Sequence, residues 1–156
     1  MRQVWIPKTG GPEVLEVREA PDPEPGPGAV RIRVAAAGIN FADLLARMGL
    51  YPDAPKLPAV VGYEVAGTVD RVGAGAGLAE GDRVVALTRF GGYSDAVVVP
   101  GFQAIALPAA VGFEKAAALP VNYLTAWLML VHLGNLRAGD RVLVHAAAGG
   151  VGQAAT

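Results

Sequence analysis

The sequence predicts a mainly β protein, a small barrel or sandwich, that runs at its far end into the start of an α/β unit. Three observations carry this. Short apolar segments alternate with turns: 21 Gly and 12 Pro fall among 156 residues without a period, which in an apolar chain means many turns between short strands. Apolar residues make up 53% of the chain and charged residues 17%, so a real core can form and a solvated polymer is excluded. Finally, the apolar Arg141–His145 is followed by the Gly-rich Ala146–Gly152, the pattern of a strand, a phosphate-type turn and a helix start.

The elements follow in order. Val14–Val17 is a short strand. Pro21–Gly28 has a proline at every second position and is a rigid loop, because prolines there forbid both helix and ladder. Val30–Val34 alternates with period two, as a half-buried strand does. Phe41–Met48 reads as a helix with Phe41, Leu44, Leu45 and Met48 on one face and Gly49 at the C-terminal cap. Tyr63–Val72 is a strand punctuated by Gly62, Gly67 and Gly73. Gly81–Leu87 is a turn feeding a strand, and Ser94–Val99 is a strand stopped by Pro100. Phe113–Leu119 is a short helix stopped by Pro120. Tyr123–Leu133 is the strongest helix, with Asn122 as N-cap and Gly134 as stop. It is apolar almost all round, which predicts burial on several sides. Leu136–Asp140 is a turn, Arg141–His145 a strand, and Val151–Thr156 the first turn of a helix.

Composition excludes several function classes. Thirteen basic and fourteen acidic residues give a net charge of −1, which does not suggest a nucleic-acid partner. Zero cysteines exclude disulfides, iron–sulfur clusters, thiolate zinc and a Cys nucleophile, and fit a cytoplasmic location. No run reaches the ~20 apolar residues of a membrane span. The N-terminal residues show no secretory h-region. His132 and His145 are too few for a His-rich metal site.

A Gly-rich turn after a strand lets backbone N–H groups approach a pyrophosphate. Here the six positions are Ala147, Ala148, Gly149, Gly150, Val151 and Gly152, with Ala147 where the first glycine of the usual pattern stands. The plain alternative is an ordinary strand-to-helix turn. A helix begun at Val151 is too short to stand alone, so the chain is expected to be a piece of a longer protein.

Gly38–Leu44, then Arg47, Gly49 and Tyr51, with Gly62–Val69, Gly81–Val84 and His145–Gly152, resembles the zinc-free quinone oxidoreductases of the medium-chain dehydrogenase/reductase superfamily. Val121–Trp127 with Gly134–Leu136 is similar to the branch named for the synaptic-vesicle amine-transport protein. The resemblance implies a GroES-like β-barrel domain over residues 1–120 and the beginning of a Rossmann domain over 121–156. It implies a full-length protein about twice this length that is a homodimer, and a piece that is inactive alone.

It also implies chemistry: hydride transfer from NADPH to a quinone or conjugated enone. Zinc-dependent relatives place a Cys where this chain has Asn40, a His where it has Tyr63 and a third ligand near Val121. An amide, a phenol and an isopropyl group do not make a tetrahedral zinc site, so no zinc is expected. Asn40 is the expected catalytic amide at the junction of nicotinamide and substrate, with a helix cap as its plain alternative. Thr125 is expected near the nicotinamide, the alternative being a hydroxyl bonded to its own helix. Tyr51 and Tyr63 are expected to line the substrate cleft, the alternative being core packing. Glu64 reads as structural and Arg47 as a surface residue. Rival functions are an alkenal double-bond reductase and a non-enzymatic nucleotide- or lipid-binding protein.

Overall fold

The computed structural model describes residues 1–156. Its centre is a five-stranded antiparallel sheet in the order β6-β3-β4-β5-β7. The strands are β3 (Ala29–Ala37), β4 (Glu64–Val72), β5 (Arg83–Leu87), β6 (Ala96–Pro100) and β7 (Ala104–Ala106). A two-stranded antiparallel sheet pairs β1 (Arg2–Trp5) with β2 (Glu16–Glu19). Single bridges, Gln3 to Ser94 and Ile6 to Ala59, join the N-terminal segment to the rest. The helices are α1 (Phe41–Met48), α2 (Phe113–Ala117), α3 (Pro120–Trp127), a π-helical extension over Leu128–Leu133, and α4 (Gly150–Ala155).

One face of the sheet carries the main core, and α2 covers part of the other, where Ala66 packs on Ala116 and Ala117. Val30, Ile32, Val65, Val69, Val84, Ala86, Val97, Val99 and Ala104 form one cluster. These positions are spaced by two within β3, β5 and β6, as a pleated strand requires. The alternation that marks β3 in the sequence is therefore real, but its outward arginines are not loose. Asp70 is skipped in the β3–β4 register, where Arg31 faces Arg71 and Ile32 faces Val69. The bulge brings its carboxylate to both neighbours: it accepts from Arg31 (2.8 and 3.2 Å) and from Arg33 (2.6 and 3.1 Å). Asp22 in the proline-rich loop accepts a further bond from Arg33 at 2.7 Å. Arg83 closes the other side. Its guanidinium donates to the carbonyls of Pro108, Ala109 and Val111 and lies over the Phe113 ring at 4.6 Å.

Several expectations need correction. The strand expected at Val14–Val17 is a 3₁₀ turn over Pro12–Val14 followed by β2. Strands β1 and β7 were not expected. Helix α1 and its left-handed Gly49 cap stand as read, but its inward face does not. Asp43 and Ala46 are buried while Phe41, Leu44 and Met48 are exposed, because Asp43 finds three donors inside. Asn122 is not an N-cap; the helix starts at Pro120, and the Asn122 amide donates to Ala118 O at 3.1 Å. The helix expected over Tyr123–Leu133 is α-helical to Trp127 and π-helical beyond. It is not buried on several sides either. Trp127, Met129 and Leu133 are exposed, since nothing in the chain packs over them. Arg141–His145 forms no strand, because no neighbour pairs with it. The helical stretch Phe113–Leu133 is long and apolar enough to cross a membrane, with a mean hydropathy of 1.4, although Glu114, Lys115 and Pro120 interrupt it.

Candidate functional site

The connection from β3 to β4 carries the first half of the site. Asn40 precedes α1 in extended backbone, and its N–H donates to the Asp43 carboxylate at 2.8 Å. That carboxylate also accepts from Gly62 N–H (3.1 Å) and from the Tyr93 hydroxyl (2.7 Å). Burial pushes Asp43 above the ordinary carboxylate range, while these three bonds pull it back. One buried acid thus pins the start of α1 to two further loops.

Asn40 is the N-cap of α1, in a capping box with Asp43, so the helix-cap alternative also holds. Its Nδ2 donates to Glu64 Oε1 at 2.9 Å. Glu64 is only 1% exposed, and its other oxygen, Oε2, accepts from Val121 N–H at 2.8 Å. A Cβ on Gly38 would overlap this carboxylate, so only glycine lets the loop sit so close. Glu64 therefore joins the expected catalytic amide to the first turn of α3, the helix that carries Thr125.

The second half is the turn before α4. Gln153 N–H to Gly149 O, at 2.8 Å, is the first helical rung there. The N–H groups of Gly150, Val151 and Gly152 precede that ladder. A Cβ on Gly152 would strike Ala146 and Ala147, and one on Gly150 would strike the Asn122 side chain. Ala146 takes a left-handed conformation (φ 52°) at the bend and accepts from Gly149 N–H at 2.9 Å. The contact between Asn122 and Gly150 ties α3 to the turn. A chain of packed groups thus runs from Asn40 through Glu64 and α3 to the Gly-rich turn.

Tyr51 and Tyr63 meet edge to face at 6.2 Å, and Tyr63 meets Phe90 in the same way at 5.8 Å. Tyr51 packs on the Ile6, Ala46 and Val61 cluster, so for this ring core packing is at least part of its role. The Tyr63 hydroxyl is buried without a hydrogen-bond partner. Burial raises its pKa to about 12, so at neutral pH it is an O–H donor. Backbone bonds hold the Gly62–Tyr63 turn in place, with the Thr88 hydroxyl donating to Gly62 O at 2.6 Å and Thr88 N–H to Tyr63 O at 2.8 Å.

An apolar cavity of about 580 Å³ lies beside α1, lined by Ile6, Val17, Val34, Leu44 and Val61 among others, and by none of Asn40, Tyr51, Tyr63 or Thr125. No three His, Asp or Glu side chains cluster as metal ligands. Sequence reasoning gave Asn122 only as an N-cap, held Asp43 only within the Gly38–Leu44 motif, and missed Tyr93. The Asn40–Asp43 spacing, that of a capping box, was the one available signal; nothing local pointed to Tyr93.

The comparisons with known proteins fit this geometry. Residues 26–109 match the model for the alcohol dehydrogenase GroES-like domain. The mouse synaptic vesicle membrane protein VAT-1 homolog is 53% identical over 142 residues, covering 90% of this chain and 35% of that protein. The crystal structure of the human VAT-1 homolog-like protein superposes with a TM-score of 0.94 at 41% identity, over 99% of this chain and 50% of that one. Escherichia coli quinone oxidoreductase complexed with NADPH superposes with a TM-score of 0.92 at 39% identity, over 99% of this chain and 48% of that one. The chain therefore spans about a third to a half of the length of these relatives.

Proposed function

The chain belongs to the alcohol dehydrogenase GroES-like domain family, within the medium-chain dehydrogenase/reductase superfamily, and from that premise we propose that it is the N-terminal part of an NADPH-dependent oxidoreductase. The acceptor is a quinone or conjugated enone, and no zinc takes part. The observation that carries this reading is the linkage of the Asn40 amide, through Glu64 and α3, to a Gly-rich turn with N–H groups ahead of the helical ladder.

The division of labour follows from the residues. The backbone of Ala147, Gly149, Gly150, Val151 and Gly152 would hold the pyrophosphate, and added Cβ atoms would intrude at Gly150 and Gly152. Asn40 and Thr125 would hold the nicotinamide between them, and the nicotinamide would supply the hydride. The Asn40 NH₂ has two hydrogens and gives one to Glu64; the other is available to an oxygen at the junction. Tyr51 and Tyr63 edge the substrate cleft, and the protonated Tyr63 hydroxyl supplies a donor. Quinones and enones accept hydride readily, so positioning and exclusion of water do most of the work. The donor set supports independence from zinc: the Asn40 amide is engaged, the Tyr63 phenol stays protonated, and Val121 offers only an isopropyl group.

In this reading residues 1–120 form the substrate domain and residues 121–156 open the dinucleotide domain of a cytoplasmic homodimer with no nucleic-acid partner and no membrane span. A second reading, a nucleotide-keeping protein that binds lipid, is favoured by the exposed apolar stretch within Phe113–Leu133.

The test is NADPH oxidation by an ortho-quinone, using the full-length protein with a chelator present. Turnover should survive the chelator and fall about 100- to 1000-fold in Asn40→Ala, as for loss of one preorganised donor. NADPH binding without turnover, together with capture on anionic vesicles, supports the second reading. Failure to bind NADPH sinks the role of the Gly-rich turn.

A further inference from the structure

Glu64 is a buried carboxylate with both oxygens engaged by groups that belong to different parts of the fold. Oε1 takes the Asn40 Nδ2–H at 2.9 Å and Oε2 takes the Val121 N–H at 2.8 Å. Gly38, two residues before Asn40, leans against the carboxylate and donates its N–H to Glu64 O at 3.2 Å. Val121 and Thr125 are four residues apart on α3 and so share a helix face.

We propose that Glu64 is a positioning residue for the reaction: it fixes the orientation of the Asn40 amide and sets the separation between Asn40 and Thr125. This rests on the oxidoreductase reading. The argument is one of donors and acceptors. A carboxylate with two donors on it only accepts. Turning the Asn40 amide over would put its Oδ1 against Glu64 Oε1, oxygen to oxygen, in a site where an unmet polar group is costly. The NH₂ therefore has one permitted face toward Glu64, and its second hydrogen has one remaining direction. The same carboxylate holds the first turn of α3, so Asn40 and Thr125 are referred to one anchor. Misplacement by about 1 Å in such a pair lowers turnover by about 100-fold.

Glutamine tests this, because it keeps the shape of Glu64 but presents an NH₂ to one of the two donors. Two measurements are made on Glu64→Gln. In the present chain, exchange of the Asn40 side-chain amide hydrogens is followed by NMR. One of the two hydrogens should exchange at least tenfold more slowly than the other, and the difference should vanish in the variant. In the full-length protein, kcat should fall about 10- to 100-fold while the Kd for NADPH changes far less. In an Asn40→Ala background Glu64→Gln should add little further loss.

Additive losses in the double variant would show Glu64 to be merely structural and overturn the proposal. So would equal exchange of the two Asn40 hydrogens in the unsubstituted chain. If that exchange difference is present but the full-length protein turns over no quinone or enone, the oxidoreductase reading fails while the anchoring of Asn40 stands. Glu64→Asp keeps the charge but reaches only one partner, so it should show an intermediate kcat; it replaces the glutamine variant if that one does not fold.

Discussion

The sheet over Ala29–Ala106 and the tail beyond Pro120 are equally apolar to read, yet they behave differently. In the sheet, Val30 and Ile32 of β3 each have a partner strand on both sides, and both are completely buried. In the tail, Val142 and Leu143 carry the same kind of side chain but are 47% and 80% exposed, and their segment is not a strand. Hydrophobic pattern is a property of a segment, whereas a strand is a property of a pair. The tail has the pattern without the pair.

The contrast can be broken or sharpened by substitution. The largest effect is expected at Ile32→Ala, which should cost about 2–5 kcal/mol of unfolding free energy because the site is completely buried. Leu143→Ala should stay within about 0.5 kcal/mol. Urea denaturation of both variants checks this, and equal losses would erase the distinction between the two regions. Arg83→Met should come next, at about 1–2 kcal/mol, since three carbonyls lose their donor. Its signature would be faster proteolysis around Pro108–Phe113 with β3 and β4 still protected.

The smallest effect is expected from acid. Hydrogen bonding to Arg33 and to the terminal amine holds Asp22 at about 2, below its ordinary 3.8. Asp95 is lowered by hydrogen bonds to Arg2, and Asp70 by Arg31 and Arg33, against the opposing effect of burial. A carboxyl with a lowered folded pKa stabilises above its unfolded value and loses that contribution as pH falls through the folded one. Stability of the sheet region should therefore decline between about pH 4 and pH 2. Asp43, raised by burial, has the opposite sign: its contribution improves as it takes up a proton. Thermal melts of Asp22→Asn should flatten the acid limb slightly, because exposed pairs contribute little.

Strand β3 was readable from its alternation, and β4, β5 and β6 from valine-rich runs bounded by Gly and Pro. Strand β7 was not, since Ala104, Ile105 and Ala106 give three residues with one β-branched side chain. Strand β1 begins with Arg2 and Gln3, which carry no apolar alternation. The inward face of α1 was misjudged at Asp43, because three donors from Asn40, Gly62 and Tyr93 make burial of that carboxylate tolerable, and two of them are distant in sequence. Asn40 was visible as a candidate for its residue type and its place before α1. Its partner Glu64 lies 24 residues away, across a connection whose path the sequence does not reveal.

The strand order also bears on how the molecule is made on the ribosome. Of the five strands of the large sheet, β3 and β4 come first in the chain and lie at its centre; β5 can then add to β4, β6 to the free side of β3, and β7 to β5. Each new strand meets an edge already exposed by earlier ones, so none must be threaded between two that have closed. The first closure within this sheet is that of the connection from Gly38 to Tyr63, which lets β4 find β3. That connection contains Asn40 and α1. Pairing β3 with β4 would therefore draw in Asn40 and α1, while Tyr93 and Val121, which complete the bonds to Asp43 and Glu64, follow later in the chain.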